Sequence, residues 1–177
     1  MNAYAPAPWQ NFFTAEVGAA AALTGLLFVA VSINLKQILS FPKLPARAAE
    51  TLSLLLLVVT ISSLALAPQT PEAFGIEVST CAGLMSLAVL LVQVRHGPDD
   101  PADPAWWFLS RIANIQIPAL LFLTGGITLT VRYSYGLYFM LPGTLTAFLG
   151  AVYNAWVLLV EIIRQHPPDR QTAGPGS

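Results

Sequence analysis

Long apolar runs alternate along the chain with short polar breaks, and the length of the runs decides the class of fold. Five of them, at about 12–35, 48–67, 74–94, 106–131 and 137–163, hold 20 or more residues each. A bilayer core of roughly 30 Å is crossed by about 20 helical residues. The breaks read FPKLP at 41–45, PQTP at 68–71, HGPDDPADP at 96–104 and RYSYG at 132–136. Proline lacks a backbone donor and turns the residue before it away from helix. Period-two alternation is absent, and lipid offers no partner to unpaired backbone groups, which leaves helix as the spanning element. The pattern predicts an all-α integral membrane bundle over residues 1–165 with five transmembrane helices, and a flexible tail over 166–177.

Composition agrees. The 177 residues are 55% apolar and 10% charged, with a mean hydropathy of +0.66. Soluble domains carry roughly 25% charged residues, so lipid is expected to be the solvent of most of this surface. A net charge of −1 gives no basic footprint for nucleic acid. The single cysteine, Cys81, excludes an intramolecular disulfide. The opening MNAYAPAPWQN has no Lys or Arg, so no positively charged signal region is expected.

The cations orient the spans. Five crossings put Lys36, Lys43, Arg47, Arg95, Arg111, Arg164 and Arg170 on one side and Arg132 on the other. Short loops rich in Lys and Arg stay in the cytoplasm, so the N-terminus is expected outside and the C-terminus inside. Aromatic belts are expected at the outer face, from Tyr4, Trp9, Phe12, Phe13, Tyr133, Tyr135 and Tyr138, and at the inner face, from Phe41, Trp106 and Trp107.

Small residues recur on one face of the first helix: Gly18, Ala22, Gly25, Val29 and Ser32. Such stripes let helix backbones approach closely in lipid. This one fits either packing within the chain or a subunit interface. The fourth span carries Arg111, Asn114, Pro118, Leu121, Gly125, Thr128 and Arg132 on one face, and the fifth carries Gly143, Thr146 or Ala147, Gly150, Asn154 and Glu161. The second and third spans, with LLLLVV and LAVLLV, are expected to face lipid. Glu16 and Asn34 lie eighteen residues apart, about 27 Å along a helix, as if marking the two membrane edges. Pro118 and Pro142 are expected to kink their helices.

Ionisable residues inside a span are candidate functional groups because placing them there is costly. Asn34, Lys36, Glu50, Arg111, Asn114, Asn154 and Glu161, with Gln116, gather toward the expected cytoplasmic side; Glu16, Glu77 and Arg132 form a smaller outer group. Three readings apply to the inner set: snorkelling or mutually paired charges, a polar vestibule for an ion or small ligand, or catalysis. The last has little support. The two histidines, His96 and His166, lie outside the spans, so no haem could be ligated there. No HExxH, CxxC, GxSxG or phosphate-loop pattern occurs. The DDPAD cluster at 99–103 lacks the ligand spacing of a calcium loop. No enzyme activity, cofactor or metal is expected.

Three stretches, FFTAEVGAAAALTGLLFVAVSINLKQIL, FPKLPARAAETL and SSLALAPQTPEAFGIE, resemble a family of short multi-pass bacterial membrane proteins, frequent in actinobacteria. Some members are labelled modulators of a membrane-anchored AAA protease. The resemblance covers roughly the first eighty residues and continues only in hydropathy. It implies a bacterial inner-membrane protein and supplies no catalytic residues. Two functions remain: a subunit of a small homo-oligomeric channel or transporter, or a non-enzymatic regulator or scaffold that binds a larger membrane partner.

Overall fold

The computed structural model describes residues 6–41, 44–96, 105–131 and 135–164. They form six helices: α1 (Pro6–Ile33), α2 (Leu35–Ser40), α3 (Leu44–Leu66), α4 (Pro71–His96), α5 (Ala105–Thr130) and α6 (Gly136–Arg164). All but α2 are long and apolar enough to cross a membrane. Tyr4, Lys43, the DDPAD cluster, Arg132, Tyr133, His166, Arg170 and the 166–177 tail lie outside the described residues.

Local chemistry sets the boundaries. The Asn34 side chain donates to the Ala30 carbonyl at 2.9 Å where α1 gives way to α2. Phe41 is extended (φ −115°, ψ 124°) at the end of α2, as a residue before proline prefers. Gln69 reaches back to the Leu64 carbonyl at 2.7 Å and satisfies one of the last acceptors of α3. Thr70 caps α4, its hydroxyl accepting the Ala73 N–H at 3.2 Å. Pro71 follows at the first helical position and Glu72 in the first turn, both suited to a helix N-terminus.

Helices α3 to α6 close into a ring, α4 against α5, α5 against α6, α6 against α3 and α3 against α4. Its interior holds Leu54, Val58, Ile61, Phe74, Val78, Ile115, Phe122, Leu129 and Met140, all nearly inaccessible. Helix α1 lies outside the ring against α3. The exterior carries Leu26, Phe28, Leu84, Ile117, Leu149 and Trp156 among many other exposed apolar side chains. A continuous apolar surface of this kind belongs against hydrocarbon rather than water.

One expectation is corrected here. The second span, α3, is the most enclosed of the five, with 44% of its apolar window buried. It touches α1, α4 and α6 at once, so its leucines fill the core. Helix α1 starts near Pro6, which puts Glu16 about 15 Å along it. As for Pro118 and Pro142, both sit inside helices assigned without a break.

Candidate functional site

One end of the bundle carries Lys36, Arg47, Arg95 and Arg111 and is called the basic end below. The other is the aromatic end. There Trp9 stacks edge-on against Phe12 and Tyr138, and Phe13 meets Phe74 at 6.4 Å between ring centres. The polar groups divide between these ends.

At the basic end, α3 contributes Glu50 and α5 contributes Arg111. The guanidinium grips the carboxylate with two hydrogen bonds, Nη2 to Oε1 at 2.6 Å and Nε to Oε2 at 3.2 Å. Both side chains are buried, at 3% and 7% exposure. A two-pronged Arg–carboxylate pair fixes orientation as well as charge, and here it ties together two helices on opposite sides of the ring. Burying an isolated ion in such surroundings is very costly, so each charge depends on its partner.

Two further polar side chains sit at the same depth. Asn114 donates to the Gly150 carbonyl at 3.2 Å, which fixes the antiparallel register of α5 and α6. Counting back along α5 as α6 advances brings Asn154 level with Ser110. Gln116 accepts from the Ser86 hydroxyl and donates to the Ser86 carbonyl at 3.2 Å, which fixes α4 against α5. The same counting brings Gln93 level with Leu109. Glu50, Gln93, Arg111 and Asn154 therefore occupy one layer within about one helical turn, one from each helix of the ring. Gln93 is completely inaccessible and Asn154 is 3% exposed. Neither amide atom of Gln93 has a hydrogen-bond partner, nor does Nδ2 of Asn154. Each unpartnered buried amide costs about 1–3 kcal/mol. Thr51, also buried, satisfies its hydroxyl on the Arg47 carbonyl at 2.9 Å.

The layer gathers only part of the set proposed from sequence. Glu50 and Arg111 pair in it, and Asn154 lies at the same height. Asn114 belongs to the α5–α6 seam, Gln116 to the α4–α5 seam, and Asn34 to its own helix. Lys36 is exposed on α2, and the side chain of Glu161 lies outside the described residues. Gln93 was missed, because an isolated glutamine at the end of an apolar run reads as an interfacial residue. The burial of all four groups makes this a closed layer and not an open vestibule.

At the aromatic end, Glu16 and Glu77 lie one turn beyond Phe13 and Phe74, on helices that run the same way. Each has one carboxylate oxygen buried without a partner. Among the described residues no three His, Cys, Asp or Glu side chains gather as a metal site would require.

The small residues fall into two groups. A methyl group on Gly75 would lie 2.6 Å from the Gly126 carbonyl oxygen, and one on Gly126 would lie 2.8 Å from that of Gly75. An added methyl would lie 2.9 Å from the Gly136 carbonyl at Gly125, 3.0 Å from the Phe122 ring at Gly143, and 2.7 Å from the Asn114 side chain at Gly150. These glycines are used up inside the protomer. Gly18 and Gly25 on α1 meet nothing within 4 Å, and Ala22 and Ser32 are exposed beside them. The α1 face packed on α3 is the opposite one, through Phe13, Ala20, Thr24, Leu27 and Val31.

A cavity of about 310 Å³ between α5 and α6 is lined by Asn114, Ile117, Pro118, Thr146, Leu149 and Tyr153. Ile117, Leu149 and Tyr153 are exposed, so it is a cleft in the apolar exterior. No protein-family model, curated protein or solved structure matches this chain.

Proposed function

We infer that the chain is a non-enzymatic membrane scaffold whose working form is an assembly of copies joined through α1. The carrying observation is the open face at Gly18 and Gly25, on a helix with only 6% of its apolar window buried. Hydrocarbon is as apolar as leucine, so helices associate in lipid by close packing, which small residues permit. Copies inserted with one topology present α1 in parallel, and the stripe is then complementary to itself about a twofold axis. The bacterial inner membrane, with the basic end in the cytoplasm, is the setting this reading adopts.

The channel or transporter reading has less support. Between the polar layer and the aromatic end the interior is packed with Leu54, Val58, Phe122, Leu129 and Met140, so a conducting path would have to run between copies. The open α1 face offers such a path glycine, alanine and valine with one serine near its end.

Disulfide trapping in native membranes tests the scaffold. Ala22→Cys in a Cys81→Ala background is expected to give a homodimer on oxidation, with Ala20→Cys, on the packed face, giving none. Cross-linking of Ala22→Cys only to a larger protein would replace self-assembly with a heteromeric scaffold, of which a membrane-anchored protease is one example. No cross-link at all would remove the proposal.

A further inference from the structure

The polar layer at the basic end has more hydrogen-bonding capacity than its own residues use, and the unused part has a definite chemistry. The two charges, Glu50 and Arg111, are already matched to each other. What is left over is amide: both atoms of the Gln93 side chain and the Asn154 nitrogen, each within a side chain that is nine-tenths or more buried. Amides offer donors and acceptors without net charge.

We propose that this layer binds small neutral molecules carrying both a donor and an acceptor, at the Gln93 amide and at the Asn154 amide on either side of the Glu50–Arg111 pair. Three features select that class. An added ion would meet a layer whose charges already cancel and would be left uncompensated in an apolar bundle. A purely apolar occupant would leave the amides as they are. The occupant must also be small, because Gln93 is completely inaccessible and Asn154 only 3% exposed. Water is the smallest member of the class, and buried waters characteristically make about three hydrogen bonds to otherwise unsatisfied groups. A retained solute with an amide or hydroxyl group presents the same chemistry. The site is independent of α1, which lies outside the ring, so self-assembly can fail without affecting it.

The experiment uses the full chain in lipid nanodiscs, with native mass spectrometry and side-chain amide NMR run in parallel. A retained solute appears as an extra mass in the wild type that disappears in Gln93→Leu and Asn154→Leu. Water appears as an unshifted mass with cross-relaxation from water to the Gln93 and Asn154 side-chain NH₂ groups, despite their burial. Either result supports the site. In both cases Gln93→Leu is expected to lower the Tm by about 2–4 °C, the shift that the loss of one such contact gives in a chain of this size. An unshifted mass, no water cross-relaxation and a Gln93→Leu variant at least as stable as the wild type would overturn it, since the amide would then be an unpaired group better replaced by leucine. The wild-type measurements decide the matter even if a variant fails to fold.

Discussion

The α4–α5 seam and the free face of α1 are written in nearly the same residues and have opposite fates. On α4 and α5, Gly75 and Ser79 meet Gly126 and Thr130 so closely that the two backbones touch, and the hydroxyls of Ser79 and Thr130 bond the glycine carbonyls one turn back. On α1, Gly18, Ala22 and Gly25 have the same character, but a carbon added at either glycine would meet nothing within 4 Å and Ala22 is exposed. Small residues permit close approach without specifying the helix that approaches. What separates the two faces is the polar pairing beside them. The seam is flanked by the Ser86–Gln116 bonds, whereas the hydroxyl of Ser32, at the end of the α1 stripe, turns back to the Phe28 carbonyl at 2.7 Å.

If polar pairing locks the ring while α1 stays outside it, removing one partner of the central pair should have the largest effect of all. Arg111→Leu strands the Glu50 carboxylate among apolar neighbours and is expected to cost about 3–5 kcal/mol. The double variant Glu50→Leu with Arg111→Leu should recover most of that loss, because no unpaired charge remains. Denaturant titration in mixed micelles measures both. Equal losses in the single and double variants would mean that the pair acts only through its bulk.

Next comes the seam. Gly126→Leu places a side chain where the Ser79 backbone nitrogen stands 2.8 Å from the first added carbon, so α4 and α5 must part. Overpacking of this kind costs about 1–3 kcal/mol, and the upper part of that range is expected because the obstacle is backbone. A stable Gly126→Leu protomer would break the comparison from its closed side. Smaller again is Gln116→Leu, which removes the link to Ser86. Interhelical hydrogen bonds in membranes average about 0.6 kcal/mol, and a loss of that order is expected in the same titration.

The sequence makes the spans legible and leaves the neighbours hidden, for a single physical reason. Hydropathy reports the length of an apolar run, so the five helices long enough to cross a membrane lie close to their expected positions, and the prolines at 42, 45, 68 and 71 mark breaks. It does not report whether a leucine meets lipid or another helix, since both are equally apolar. The leucine run of α3 therefore read as lipid-facing although Leu54, Leu55, Leu57 and Val58 are core. Glu50 and Arg111 stood out as costly residues, but they are 61 positions apart, and nothing in their spacing joins them. Gln93 and Gly75 were invisible for the opposite reason. A single uncharged residue within an apolar run carries no signal until the register of α4 on α5 places it.

The smallest expected effect on the protomer is the one that tests the open face most sharply. Gly18→Leu together with Gly25→Leu adds two large side chains where a first carbon would meet nothing within 4 Å. Neither glycine needs a left-handed backbone, since both lie within continuous helix, and leucine is the better helix former by up to about 1 kcal/mol per site. Protomer stability should therefore stay level or rise slightly. Self-association should fall, because the bulk that the protomer tolerates holds two α1 backbones apart. Energy transfer between labelled copies diluted in lipid measures association, and denaturant titration measures stability. A fall in stability with association unchanged would show that the α1 stripe serves the fold of its own chain. The distinction between a closed seam and an open face would then disappear.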